Sequence, residues 1–241
     1  LIPLSDVNPT RRTPYITYLL IGINVVVFFW QQTMEPEELF RTFLQNSVVP
    51  ILVSNNLFSV ETALDITRSM FFHGGWTHLG GNMLYLYIFG DNIEDRWGHF
   101  PFLIFYFMSG FGASLLQVAV DPDSRIPLIG ASGAIAGVLG GYLVLFPTAR
   151  IRSIVFFGYF IRFIELPALI VLGFWFVLQF FNGVASLGVS AEFSGGVAFF
   201  AHIGGFVVGL LLTLLLLPAL RSRRHESTVI FDADDAYSNW R

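Results

Sequence analysis

The chain of 241 residues contains no cysteine and no lysine. Without cysteine it can form neither a disulfide nor a thiolate metal site. Without lysine, all thirteen basic residues are arginine, a bias that nothing in the sequence explains. Charge of either sign is scarce: Asp, Glu, Lys and Arg supply 12% of the residues, against roughly 25% in an ordinary soluble domain. A formal net charge of −4 without a basic stripe excludes a nucleic-acid-binding reading. The histidines have no carboxylate or thiolate partners at ligand spacing, so no metal or cofactor is expected.

What is abundant is apolar surface, with 54% hydrophobic residues and a mean hydropathy of +0.67. Such a chain is best measured in membrane spans. Six long apolar stretches run from Tyr15 to Trp30, Trp76 to Gly90, Phe100 to Val120, Ile126 to Phe146, Leu166 to Phe181 and Phe193 to Leu220. The first lacks a small-residue cleavage site after it and reads as a span, not a signal peptide. A seventh run, Ile154–Ile161, is too short to cross and is expected at the membrane interface, flanked by Arg152 and Arg162. The expected fold is all-α: a six-span core over residues 15–220, a polar N-terminal tail over 1–14 and a polar, mobile tail over 221–241.

Arginine sets the orientation. Arg11, Arg12, Arg96, Arg150, Arg152, Arg162, Arg221, Arg223, Arg224 and Arg241 fall on one side; Arg41, Arg68 and Arg125 fall on the other. Ten against three puts both termini in the cytoplasm. The first outer loop, Gln31 to Gly75, is long. Leu39, Phe40, Phe43 and Leu44 recur there at helical spacing before Pro50 ends the pattern, which predicts a short amphipathic surface helix. No internal repeat of the kind found in many transporters is visible.

Polar groups inside apolar spans are costly, so they carry the information. Four stand out: Ser132, His202, His78 and Asn82. Ser132 lies fifteen residues before Pro147, His202 sixteen before Pro218 and His78 sixteen before Glu94. At 1.5 Å per residue, each sits roughly 22 Å above the inner boundary, or about 8 Å below the outer surface of a ~30 Å core. Asn82 is one turn deeper. Gly133, Gly137 and Gly141 follow Ser132 at four-residue steps, and Ala201, Gly205 and Gly209 surround His202 in the same way. Two such small-residue faces allow close backbone approach, which would bring serine and histidine within hydrogen-bond reach.

A serine beside a neutral histidine is the minimum for an activated nucleophile. Gly130-Ala131-Ser132-Gly133 also starts a helix at the serine, where backbone N–H groups lack helical partners and can face an oxyanion. His78 and Asn82 share one helix face and add side-chain donors at the same level. Taken singly, these residues have plainer readings: a serine among glycines packs helices, and a histidine in a span bonds across helices. His73 and His99 lie at span ends, where interfacial anchoring is expected, and His225 is in the tail. Glu94, Asp95 and Arg96 read as a structural charge cluster at the inner end of the second span. The shared depth and the small-residue faces favour the joint reading.

With these residues in place, the sequence resembles the rhomboid family of intramembrane serine proteases, in its bacterial members above all. The resemblance rests on four motifs in order: His73-Gly-Gly-Trp-Thr-His78-Leu-Gly-Gly-Asn82, Phe89-Gly-Asp-Asn-Ile-Glu94-Asp-Arg96-Trp-Gly98, Gly130-Ala-Ser132-Gly-Ala-Ile-Ala-Gly137, and Ala201-His202-Ile-Gly-Gly205. It implies a six-helix core around a cavity open to the outside, with Ser132 as nucleophile and His202 as general base. His78, Asn82 and the Ser132 backbone N–H match the oxyanion-stabilising positions. The segment from about Leu166 to Gly196 resembles a mobile gate and cap. The implied partners are the lipid bilayer and transmembrane protein substrates, cut near the outer membrane region after a small residue. A bacterial inner membrane with cytoplasmic termini is the implied location. The chain departs from many members in two places: its first outer loop has no Trp-Arg pair, and a position where some members stack a tyrosine on the histidine is Ala136. A catalytically silent client-binding relative is the alternative, although such relatives usually lack the serine or the histidine. A solute transporter is disfavoured by the missing repeat and by the lack of a deep carboxylate.

Overall fold

The computed structural model describes residues 1–157, 160–187 and 198–238, and for residue 157 and residues 221–238 the backbone alone. Strand β1 (Ile2–Asp6) leads into helix α1 (Tyr15–Gln31). Three short helices follow, α2 (Pro36–Asn46), α3 (Pro50–Val53) and α4 (Val60–Ser69), and then the long α5 (Trp76–Trp97) and α6 (His99–Val120). Helix α7 (Ser132–Leu145) precedes strands β2 (Arg150–Phe157) and β3 (Phe160–Pro167), and α8 (Ala168–Ser186) and α9 (Phe199–Ser238) complete the order. Helices α6, α8 and the Phe199–Leu220 part of α9 are long and apolar enough to cross a membrane. Helices α1 and α7 are apolar but shorter.

Local chemistry explains the boundaries. Pro36 opens α2, where a missing N–H costs nothing, and Glu37 and Glu38 follow in its first turn. Ser59 caps α4 by accepting the Thr62 N–H at 3.0 Å. Between α5 and α6 the chain turns at Gly98, whose φ of 82° suits glycine, and its N–H bonds the Glu94 carbonyl at 2.7 Å. The amphipathic helix expected around Leu39 to Leu44 is α2.

One expectation needs correction. The run Ile154–Ile161 belongs to an antiparallel hairpin in which Ile154 faces Phe163 and Phe156 faces Ile161. Within the N-terminal segment, β1 pairs antiparallel with β2 and completes a three-stranded sheet in the order β1-β2-β3. The fold is therefore helical with a small sheet, not all-α. The physical reason is that the β-branched and aromatic residues on both sides of Gly158 favour strands, whose backbone is satisfied by pairing. At the far end, α9 continues through Pro218 to Ser238, where a polar tail was expected. The part of the expected gate-and-cap segment at residues 188–196 lies outside the described residues.

In lipid, burying apolar surface between helices gains little, because the tails are as apolar as leucine, so close packing has to hold the bundle. The glycine faces provide it. A Cβ at Gly205 would strike the Gly133 carbonyl oxygen, and one at Gly209 the Gly137 carbonyl oxygen, so α7 and α9 lie backbone against backbone. Helix α6 closes on the same seam, where a Cβ at Gly204 would come 2.9 Å from the Gly112 carbonyl oxygen and 2.8 Å from the Leu116 Cβ. Around this seam pack the fully buried Phe89, Phe102, Phe105, Tyr106 and Tyr142.

At the other end of α5, Glu94 is 1% exposed and holds the start of α1. Its carboxylate accepts the backbone N–H of Ile16 at 2.9 Å and of Thr17 at 2.8 Å, and the Thr17 hydroxyl at 2.7 Å. His99 Nδ1 lies 2.5 Å from the same carboxylate. A buried carboxylate on unpaired N–H groups at a helix N-terminus is a favourable placement. Asp95 accepts the N–H groups of Arg11 and Arg12, and the Arg96 guanidinium sits 5.0 Å over the Phe146 ring. Beside this cluster Asp6 of β1 accepts the Tyr142 hydroxyl at 2.6 Å and Asn92 Nδ2 at 2.9 Å. Burial raises the Asp6 carboxyl above its ordinary range, against the opposing pull of those hydrogen bonds.

Candidate active site

The seam between α7 and α9 fixes where two side chains meet. Ser132 is the first residue of α7 and His202 lies in the first turn of α9. Ser132 Oγ lies 2.8 Å from His202 Nε2, within hydrogen-bond distance. With Nε2 accepting, the ring proton belongs on Nδ1, where Gln179 Oε1 of α8 accepts it at 2.9 Å. Trp175, one turn earlier on α8, has its ring centre 6.0 Å from that of His202.

Helix α7 starts at the serine, with Ala131 as its N-cap, because the backbone leaves helical geometry at Gly130. Gly130 has φ +121°, a conformation that L side chains rarely adopt, and its N–H bonds the Ser69 carbonyl at 2.9 Å. A Cβ there would come 2.7 Å from His78 Nε2. The glycine thus lets the loop before Ser132 lie against the His78 imidazole. As the first helical residue, Ser132 has an N–H without an intrahelical acceptor.

His78 Nδ1 accepts the Gly74 N–H at 3.3 Å, which leaves Nε2–H as its donor on the Gly130 side. Asn82 is buried, and its Nδ2 has no hydrogen-bond partner among the described residues. Such a group is costly unless something arrives to accept from it. His78, Asn82, Ser132 and His202 all line one cavity of about 750 Å³, together with Gln117 and Trp175. The four residues singled out in the sequence therefore share a single space.

In order, the features are a hydroxyl on a neutral imidazole, a helix start, and two side-chain donors around one cavity. The Rhomboid domain family model matches residues 60–219. The chain belongs to the rhomboid family. It is 32% identical over 216 residues to Rhomboid protein 1, mitochondrial, of Saccharomyces cerevisiae, covering 87% of this chain and 55% of that protein. It is 30% identical over 152 residues to Rhomboid-like protein 11, chloroplastic, of Arabidopsis thaliana, covering 61% and 50%. To Rhomboid protease AarA of Providencia stuartii it is 27% identical over 227 residues, covering 84% and 73%. The chain spans about half the length of the yeast and Arabidopsis relatives. Family and apolar helices together make it an integral membrane protein. Two of these relatives are mitochondrial and chloroplastic by name, so they give no support to the expected bacterial inner membrane.

This rhomboid contains site neighbours that no sequence motif marks. Gln179 and Trp175 touch His202 from α8, and Gln117 Oε1 of α6 accepts the Ala201 N–H at 3.1 Å. Gln31 of α1 clamps the His73 backbone, accepting its N–H at 3.1 Å and donating to its carbonyl at 2.8 Å. A glutamine has no motif of its own, and only the fold reveals what it reaches. His73 is buried, 1% exposed, with its ring centre 5.0 Å from that of His78. Burial, and then neighbouring His78, pull its pKa down to about 4. His99, by contrast, is half-exposed beside Glu94 and away from the cavity.

Proposed function

We propose that this rhomboid is an intramembrane serine protease that hydrolyses peptide bonds in or near transmembrane segments of other membrane proteins. The observation that carries the proposal is the 2.8 Å hydrogen bond from Ser132 Oγ to His202 Nε2. In this reading six segments within residues 15–220 cross the membrane, served by α1, α5, α6, α7, α8 and α9. The helices between α1 and α5 form the long first outer loop, and both termini lie on the arginine-rich side.

The proposed chemistry follows from the donors present. A substrate carbonyl enters the cavity beside Ser132. Oγ attacks the carbonyl carbon while Nε2 of His202 takes the hydroxyl proton. The negative charge that develops on the carbonyl oxygen is met by the Ser132 N–H, His78 Nε2–H and Asn82 Nδ2. Collapse of the tetrahedral species breaks the C–N bond, and His202 returns its proton to the leaving amine. A water then repeats the sequence on the acyl-serine, with His202 again as base. The unpartnered Asn82 Nδ2 supports this reading, because an oxyanion supplies the acceptor that the free site lacks.

The test is cleavage of a single-span substrate in proteoliposomes, alongside labelling by a fluorophosphonate. Wild-type protein should cleave and be labelled, and Ser132→Ala and His202→Ala should lose both while remaining folded. Equal cleavage by Ser132→Ala overturns the proposal.

A further inference from the structure

We infer that Gln179 is a positioning residue for His202, setting its tautomer from the neighbouring helix α8, so that the dyad is complete only when α8 is packed against α9. The inference rests on the protease reading of Ser132 and His202.

For Nε2 to take a proton from Ser132 it must present a lone pair, so the ring proton has to sit on Nδ1. A buried Nδ1–H needs an acceptor. Among the described residues no carboxylate bonds this imidazole; the acceptor is the neutral carboxamide oxygen of Gln179 at 2.9 Å. The orientation of this amide selects between the two tautomers. With the NH₂ group facing Nδ1, the proton would lie on Nε2 and be donated to Ser132 Oγ, so the same two distances would describe a histidine that cannot act as base. The carboxamide oxygen toward Nδ1 is the orientation that leaves Nε2 free to accept from Ser132, and it sets the catalytically useful tautomer.

Packing restricts the ring as well. Trp175 and Gln179 are four residues apart, so they project from one face of α8. The indole lies 6.0 Å from the imidazole at 36°, while the amide holds its Nδ1 edge. Position 136 of α7 is alanine and offers the ring no stacking partner. Both supports therefore come from a single helix, α8, which exposes Phe174, Val177, Leu178, Phe180 and Phe181 on its other faces. When Nε2 is protonated during attack, the Nδ1–H bond to Gln179 strengthens, because its donor is then charged. The amide itself gains and loses no proton.

The test uses the full chain in liposomes with Gln179→Leu and Gln179→Glu. Leucine removes the acceptor and should lower kcat roughly ten- to hundredfold with KM little changed. Glutamate restores an acceptor and should recover most of that loss. Independently of activity, ¹⁵N-histidine NMR of the same proteins reads the tautomer, with the His202 signal assigned as the one missing in His202→Gln. Wild type should hold the proton on Nδ1, and Gln179→Leu should show a tautomer mixture. Unchanged kcat or an unchanged tautomer in Gln179→Leu overturns the inference. If that variant fails to fold, Gln179→Asn, which retracts the same amide, replaces it with the same expectations. Wild-type protein that neither cleaves nor takes up the serine probe would instead defeat the protease reading, while the tautomer spectra would still decide whether Gln179 holds His202.

Discussion

Gly130→Ala is the substitution on which the site geometry can be tested most sharply. The added Cβ would stand 2.7 Å from His78 Nε2, whereas ordinary contact begins at 3.4 Å. Something must therefore move by about 0.7 Å, either the imidazole or the backbone that carries Ser132. The φ of +121° adds backbone strain for any L side chain, about 1–3 kcal/mol when the surroundings hold it in place. A misplacement of about 1 Å at a catalytic group costs on the order of a hundredfold in rate, so a loss of roughly ten- to hundredfold in kcat is expected, with KM little affected. The assay is cleavage of a fluorogenic single-span substrate in proteoliposomes, with thermal unfolding measured on the same preparation. A double-mutant cycle separates the two causes. In a His78→Ala background the clash is gone, so Gly130→Ala should cost stability there but little further rate. If Gly130→Ala keeps activity within about threefold of wild type, or if its rate loss is undiminished without the His78 ring, the placement of His78 against the nucleophile loop is wrong.

Other expectations follow from the same structure. Asn82→Leu removes a buried donor that has no partner in the free site, so kcat should fall about 10²–10³-fold without loss of thermal stability; a destabilised variant would point to a structural role. Glu94→Leu leaves the Ile16 and Thr17 N–H groups and the Thr17 hydroxyl without their acceptor, and should cost about 1–3 kcal/mol or more in thermal or denaturant unfolding. Asp6 has its carboxyl pKa raised in the folded state, so the fold binds its proton more tightly than the unfolded chain does. That contribution is present below the ordinary carboxyl range and is lost as pH rises through the raised value. Unfolding midpoints of wild type and Asp6→Asn, followed from pH 4 to 8, should therefore diverge as pH rises, with wild type losing ground; parallel curves would refute the burial of this carboxyl. Gly209→Val places a branched side chain against the Gly137 carbonyl and should disrupt the seam between α7 and α9, lowering both stability and cleavage.

Several of these residues are legible in the chain order alone. Ser132, His78, Asn82 and His202 are visible because a polar group in an apolar run is costly, and counting residues to the span ends puts Ser132, His78 and His202 at one level with Asn82 one turn deeper. The glycine periods tell which helix faces can approach, and the backbones of α7 and α9 meet on those faces. The hairpin is not legible in this way, because the length of a membrane span is the wrong measure for Ile154–Ile161. Its partner strand, Ile2–Asp6, lies almost 150 residues earlier, and local pattern cannot reveal a pairing at that distance.

Periodicity, composition and arginine placement are properties of the chain in order, so the sequence by itself determined the apolar helices, the small-residue faces and the identity of the four polar outliers. Side chains on different helices have no order along the chain relative to one another. Only the tertiary structure decided that Gln179 meets Nδ1 of His202, that Gly130 gives way to His78, and that the N-terminal strand ties Asp6 to Tyr142 of α7. Each of these depends on the rotation and depth at which two helices, or a helix and a strand, come to rest. Packing sets those quantities, and no spacing along the chain encodes them.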